Sequence, residues 1–191
     1  MSDTIIQLII NGLLLGGIYA LLSIGLTLIF GVLEVINFAH GEFLMISMYL
    51  TFWLFHSLGI DPYVSLIIIL PIFFLFGMAV QKMIIKPLLN DPPINQIFAT
   101  IGLGLVFQNL ALLFFKADFR SVKTSYSNAN IIFGEFFVSV PRLIAFAIAI
   151  ALIAALFLYL KKTFTGKAIR ALAQQRKAAM LMGIDVYKTY A

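Results

Sequence analysis

Apolar residues fill five long blocks of this chain, and charged residues gather in the gaps between them. Residues 4–33, 43–60, 62–81, 92–115 and 143–160 contain no Asp, Glu, Lys or Arg, over 30, 18, 20, 24 and 18 residues. A helix needs roughly 20 such residues to cross a bilayer. In lipid, backbone polar groups must be paired within the segment or in a closed barrel, and these blocks lack the period-two alternation of barrel strands. The pattern therefore predicts an all-α integral membrane protein of about five transmembrane helices, near residues 5–30, 38–58, 63–84, 94–115 and 141–160. Lys82, Lys86 and Pro87 close the third span, and Asp91, Pro92 and Pro93 open the fourth. Proline suits the first turn of a helix and not its interior.

Two local spacings add to this outline. In the first span Gly12, Gly16, Ala20 and Ser23 share one helical face. Small side chains let backbones approach closely in lipid, so the stripe reads as a helix-packing surface, with a glycine-lined path as the alternative. After the fifth span the pattern changes: from Lys161 to Tyr190 the chain is polar yet keeps a helical period. Lys167, Arg170, Gln174 and Lys177 recur on one face, and Ala168, Leu172, Ala179 and Met182 on another. Such an amphipathic helix lies on the membrane surface or docks into a partner; periodicity alone leaves both open.

Composition narrows the class. Of the 191 residues 62% are hydrophobic and 11% charged, against about half and about a quarter in a soluble domain. Cysteine is absent, which removes disulfides, thiolate metal ligands and a cysteine nucleophile. The 13 basic residues sit in loops between spans, a distribution suited to membrane orientation and not to nucleic acid. Met1, Ser2 and Asp3 carry no basic residue and the apolar run behind them is long, so a cleaved signal peptide is not expected. Lys82 and Lys86 are separated by two spans from Lys161, Lys162, Lys167, Arg170, Arg176, Lys177 and Lys188, so both groups share a side. That side holds nine of the 13 basic residues, against Lys116, Arg120, Lys123 and Arg142 in the loop before the fifth span. The nine are expected in the cytoplasm and the N-terminus outside. The turn between the first two spans departs from this rule, carrying Glu34, His40 and Glu42 without Lys or Arg.

Candidate chemistry is concentrated in two places. Asn37, His40 and Glu42 lie close together between apolar runs, and ionisable groups at membrane depth usually face a cavity or a partner; a solvated cytoplasmic turn is the alternative. One histidine and two carboxylates do not complete a metal or acid–base site, and His56 lies at the far end of the second span. In the fourth span Gln96, Thr100, Gln108 and Asn109, with Gly102 and Gly104, interrupt an apolar helix. They either hydrogen-bond between helices or line a polar route. Gly166-Lys167 is followed by Ala168 and lacks the upstream glycine of a phosphate-binding loop, so no nucleotide site is expected.

Gly12-Leu-Leu-Leu-Gly16-Gly17-Ile-Tyr19-Ala20-Leu21, Gly25-Leu-Thr-Leu-Ile-Phe-Gly31 and Ile36-Asn37-Phe38-Ala39-His40-Gly41-Glu42 together resemble the membrane subunits of branched-chain amino acid ABC importers, the LivH type of permease. Lys86-Pro87-Leu88, Thr100-Ile101-Gly102 and Gln108-Asn109 extend the likeness over the whole chain. Gly166-Lys167-Ala168-Ile169-Arg170-Ala171, followed by Lys177-Ala178-Ala179 and Gly183, is similar to the Glu-Ala-Ala-x-x-x-Gly loop of such permeases, with Lys177 in place of the glutamate.

The resemblance implies a non-enzymatic permease without cofactor or metal, in a bacterial or archaeal cytoplasmic membrane. It implies a second permease subunit, two cytoplasmic ATPase subunits that hydrolyse ATP, a periplasmic or extracellular substrate-binding protein, and no nucleic acid. Residues 161–190 would be the cytoplasmic coupling segment, with Gly166, Arg170, Lys177, Ala178, Ala179 and Gly183 meeting the ATPase. Asn37, His40, Glu42, Thr100, Gln108 and Asn109 would line the substrate path, and Gly12, Gly16 and Ala20 would pack helices. Members of that family continue with further spans, so residues 1–191 are expected to be a single but incomplete permease domain. The other readings are an ion-coupled carrier with Glu34, His40 and Glu42 as a proton relay, and a non-transporting membrane fragment.

Overall fold

The computed structural model describes residues 2–32, 36–89, 91–116, 118–133, 136–185 and 189. Five long helices occupy the predicted blocks: α1 (Ser2–Val32), α2 (His40–Leu58), α3 (Pro62–Val80), α4 (Pro93–Phe115) and α5 (Val140–Lys162). Segments Thr4–Gly31, Pro62–Leu88, Pro93–Phe115 and Val140–Lys162 are long and apolar enough to cross a membrane. The chain is a multi-pass membrane protein. Helix α2 coincides with the second predicted span but is less apolar, because it carries His40, Glu42 and His56. Its 19 residues reach about 28 Å at 1.5 Å per residue. The chain divides into two compact units, residues 1–28 with 123–184 and residues 29–122 with 185–191.

In the second of these units, α2, α3 and α4 join through an aromatic cluster. Phe43 lies edge-on to Phe107 at 5.5 Å, and Phe76 is 5.5 Å from Phe43 and 5.7 Å from Phe107. Tyr49 stacks on Phe115 at 4.1 Å. Gly59 ends α2 in the left-handed conformation at φ 66°, and the N–H of Ile60 reaches back to the Leu54 carbonyl at 3.3 Å. Asp61 then starts α3, its carboxylate accepting from the Tyr63 N–H at 2.9 Å with Pro62 in the first turn. The third span was expected to run as one helix to residue 84. Its end loosens into a π-helical turn, Gln81–Ile85, and a 3₁₀ turn, Lys86–Leu88. Pro87 supplies no N–H and its ring conflicts with the carbonyl one turn back, so α-helical pairing does not continue through it.

In the other unit the loop before α5 forms an antiparallel hairpin, β1 (Asn130–Phe133) and β2 (Phe136–Ser139), pairing Asn130 with Ser139 and Ile132 with Phe137. The hairpin lies in a loop outside the spans, and the membrane-spanning part is all-α. The segment is rich in Ile, Phe and Val and lies outside the apolar spans, where lipid does not force a helix and β-branched and aromatic residues favour strands. Gln7 of α1 fastens the hairpin: its amide donates to the Phe137 carbonyl at 2.8 Å and accepts from the Phe137 N–H at 3.1 Å.

The small-residue stripe of α1 has no close neighbour at Gly12 or Gly16 among the described residues. Nothing described lies within 4 Å of a β-carbon built on either glycine, and Ala20 is exposed. Close approach occurs at Gly17, which is buried and where a β-carbon would strike the Phe146 ring of α5.

The tail is two helices, α6 (Phe164–Gln174) and α7 (Arg176–Leu181), where one continuous amphipathic period was expected. Gln175 adopts extended backbone at φ −158° and is the C-cap of one helix and the N-cap of the next. Ala168, Leu172 and Ala179 are buried as the period implies. Met182 is not on that face: it is the C-cap of α7 and is exposed. Thr163 makes the corner between α5 and α6, its hydroxyl donating to the Tyr159 carbonyl at 2.7 Å and accepting from the Gly166 N–H at 3.0 Å. At Gly166 a β-carbon would lie 2.5 Å from the Leu160 backbone and 2.6 Å from the Tyr159 carbonyl oxygen. Backbone cannot swing aside as a side chain does. Gly166→Ala is therefore expected to destabilise the purified chain by about 1–3 kcal/mol or more in thermal unfolding in detergent, while Lys167→Ala, at an exposed position, leaves it unchanged.

Candidate functional site

The polar block before α2 meets α4 at Thr100. Asn37 shapes the approach: its side-chain oxygen accepts from the Ala39 N–H at 3.0 Å, a short-range turn that asparagine makes readily. Ala39 is fully buried, and its carbonyl accepts from the N–H groups of Glu42 and Phe43 at 3.1 and 3.2 Å. Thr100 is 0% exposed. Its hydroxyl lies 3.1, 2.9 and 3.1 Å from the carbonyls of Ile36, Gln96 and Ile97, one of which takes its proton, and it accepts from the Phe38 N–H at 3.3 Å. A single hydroxyl thus serves backbone groups on both sides of Asn37.

One further pair lies along the same two helices. Gln108 donates from its amide to Oε1 of Glu42 at 2.7 Å. The other carboxylate oxygen, Oε2, is enclosed and has no hydrogen-bond partner among the described residues. A β-carbon on Gly104 would meet the Glu42 carboxyl at 3.4 to 3.7 Å, an ordinary contact, so the carboxyl packs directly beside this glycine. His40 is the first residue of α2, and its Nε2 is likewise enclosed without a partner among the described residues. Asn109 stands apart from the cluster, exposed and donating to the Leu105 carbonyl of its own helix at 2.7 Å. Glu34 lies outside the described residues. Among the described residues, no three His, Asp or Glu side chains are placed to hold a metal ion.

The structure thus brings Asn37 and Thr100 together through backbone, and Glu42 and Gln108 through side chains. Gln96 and Gly104, noted in the fourth span but not placed in the substrate path, join them. Gln96 is buried and donates to the Leu88 carbonyl at 2.9 Å, tying the start of α4 to the 3₁₀ turn. A signal for both exists: Gln96, Thr100, Gly104 and Gln108 recur every four residues and so share one helical face.

The tail residues form a second group. Gly183 stands in the left-handed conformation at φ 81° just beyond α7, and the N–H groups of Gly183 and Ile184 bond the carbonyls of Met180 and Ala179 at 3.0 and 3.1 Å. That double bond pattern closes a helix C-terminus and favours glycine. Arg170, Lys177 and Ala178 face outward, while Gly166 and Ala179 are buried. Next to the glycine, Leu181 and Met182 are 88% and 83% exposed; neither was singled out from the sequence as a contact residue.

Comparison with known proteins supplies a context for both groups. The family described as the branched-chain amino acid transport system permease component matches residues 8–191. The chain is 30% identical over 203 aligned positions to the high-affinity branched-chain amino acid transport system permease protein LivH of Escherichia coli K12, covering 97% of this chain and 64% of that protein. It is 28% identical over 196 positions to the permease protein BraD of Pseudomonas aeruginosa, covering 94% and 62%. A probable LivH of Methanocaldococcus jannaschii is 29% identical over 192 positions, with 96% and 60% covered. The chain spans about three-fifths of the length of these relatives. No solved structure matches it significantly.

Thr100→Val keeps the shape of the side chain and removes both hydrogen-bonding functions. It is expected to cost about 1–3 kcal/mol, because the Phe38 N–H is left without this acceptor. Thr100→Ser is expected to restore most of that loss in detergent unfolding.

Proposed function

Because the chain belongs to the branched-chain amino acid transport system permease family, we propose that it is a membrane-spanning permease subunit of an ATP-driven importer for branched-chain amino acids. It forms the translocation path with a second permease. A periplasmic or extracellular binding protein delivers the amino acid, and two cytoplasmic ATPase subunits drive the cycle. The N-terminus lies outside and residues 161–190 lie in the cytoplasm, as the distribution of Lys and Arg favours. This orientation requires α2 to cross the bilayer.

The observation that carries the reading is the compact pair α6–α7, capped by Gly183, with Leu181 and Met182 presented to the surroundings. Both belong to one short structure that turns off α5 at Thr163 and buries Ala168 and Leu172. A short stiff element of this kind transmits displacement, where a flexible linker would absorb it. It exposes Lys167, Arg170, Lys177 and Ala178 as well as the apolar Leu181 and Met182, a mixed surface that suits insertion into a cleft of another protein. Gly166 and Gly183 keep its two bends, and Ala179 packs inward.

In the membrane part, Glu42 and Gln108 are the pair best suited to the polar path, because an intramembrane carboxylate with one unpartnered oxygen retains capacity for a passing polar group. Asn37 and Thr100 hold the turn that positions them. His40 begins the helix on which Glu42 sits.

In the assembled transporter the ATPase subunit is expected to co-purify with this chain and to be lost from Leu181→Asp/Met182→Asp, two exposed positions where the substitution spares the fold. Uptake is expected to follow ATP and to survive a protonophore at constant ATP; collapse under the protonophore would establish a carrier instead. Glu42→Ala removes a charge-assisted hydrogen bond of about 1.5–3 kcal/mol, so uptake should fall by about tenfold or more with membrane insertion unchanged. Wild-type uptake by this variant would remove Glu42 from the path.

A further inference from the structure

Helix α2 turns a different face toward a cleft of about 550 Å³, within the compact unit that holds α2, α3 and α4. Gly41, Leu44, Met45, Met48 and Phe52 line it from the helix, at spacings of three and four that place them along one stripe. Asp118 and Arg120, in the segment after α4, line it from the other side. The volume lies within the roughly 300–1,000 Å³ usual for small-molecule sites.

The chemistry of this lining is specific. The walls are mainly methionine, leucine, valine and aromatic side chains with the Thr51 hydroxyl, and among the described residues the charged groups lining it are one carboxylate and one guanidinium. The guanidinium of Arg120 sits 5.5 Å from the centre of the Phe52 ring, and it reaches the Phe115 carbonyl at 3.4 Å. Its ion pair with Asp118 is a single long contact of 3.7 Å, and the Asp118 side chain remains 68% exposed. A guanidinium has five donors and an ionised carboxylate about four acceptor positions. Both groups therefore keep most of their capacity for a third party. A cation alone is disfavoured by Arg120, and an anion alone by Asp118. The complement is a molecule bearing both charges a few ångströms apart together with a compact apolar branch. Methionine side chains adapt to such a branch because they are unbranched and polarisable.

We propose that this cleft is a transit site for the zwitterionic amino acid, with Arg120 taking the carboxylate, Asp118 the ammonium group, and the Leu44, Met45 and Met48 face the aliphatic side chain. The assignment rests on the importer reading and adds to it a site separate from the Glu42–Gln108 pair. Phe52 is a positioning residue, holding the guanidinium over its ring at the end of the apolar stripe.

The test is leucine uptake into ATP-loaded proteoliposomes holding the complete importer with its binding protein. Arg120→Gln and Asp118→Asn are each expected to lower kcat/KM for leucine by about tenfold or more, the scale of one lost charge-assisted hydrogen bond. Arg120→Lys, which keeps the charge, should retain most of the uptake. Met48→Trp, at an exposed position on the stripe, should fill the cleft and block uptake while the ATPase still co-purifies. Leucinamide, which lacks the carboxylate, should compete poorly in the wild type, and Arg120→Gln should narrow that discrimination.

The site stands only if the charge variants and the cleft-filling variant both reduce uptake. Loss in the charge variants with normal transport by Met48→Trp would assign the pair to the fold or to a lipid headgroup and overturn the site. Loss in Met48→Trp alone would overturn recognition of the two charges. Should one charge variant fail to assemble, the other and Met48→Trp decide. Wild-type uptake throughout overturns the site and leaves the importer reading intact, whereas an unmodified complex that carries no leucine overturns the importer reading itself.

Discussion

A polar group placed at membrane depth has no water to turn to, and the arrangement of this chain depends on that constraint. Helices answer it for the backbone, but the answer fails where helices begin, where proline intervenes and where the chain must turn. At several such places in the unit containing α2, α3 and α4 a side chain supplies the missing partner. Thr100 serves Phe38 and its neighbouring carbonyls, Gln96 takes the Leu88 carbonyl, and Asp61 caps the start of α3. The same residues that make a membrane segment look functional are those that let its backbone turn.

That double use separates two kinds of polar residue along α2 and α4. Asn37 and Thr100 spend their hydrogen bonds on backbone and hold a turn in place. Glu42 and Gln108 bond each other instead, and one oxygen of the carboxylate is left over. The first pair gives the second a fixed platform, since Glu42 sits in the first turn of the helix whose entry Asn37 and Thr100 define. Asn109 bonds its own helix at the Leu105 carbonyl and belongs to neither kind.

The tail follows a different rule, because its constraint is steric and not solvational. Gly166 permits a close corner against Leu160 and Tyr159, and Gly183 permits a left-handed turn after α7. Between them Ala168, Leu172 and Ala179 are buried, leaving basic residues and the Leu181–Met182 tip outside. The tail is thus a short element fixed at two glycine positions and along one buried face.

How much of this was legible in advance depends on the range of the forces involved. The five long helices could be read from the chain because the cost of unpaired backbone in lipid is set by runs of apolar residues, a property of neighbours in sequence. The hairpin at Asn130–Ser139 escaped that reading: its strands obey ordinary pairing, and Gln7, far away in the chain, fastens one of them. The four-residue spacing of Gln96, Thr100, Gly104 and Gln108 was present throughout, but only packing shows that Glu42 meets its lower end. Spacing likewise marked Gly12 and Gly16, whereas Gly17 is the glycine that meets Phe146. Sequence alone determined which segments are helical and apolar. Tertiary structure decided which face of each helix meets which neighbour, because helix rotation and the reach of side chains such as Arg120 over Phe52 are set by contacts between residues far apart in the chain.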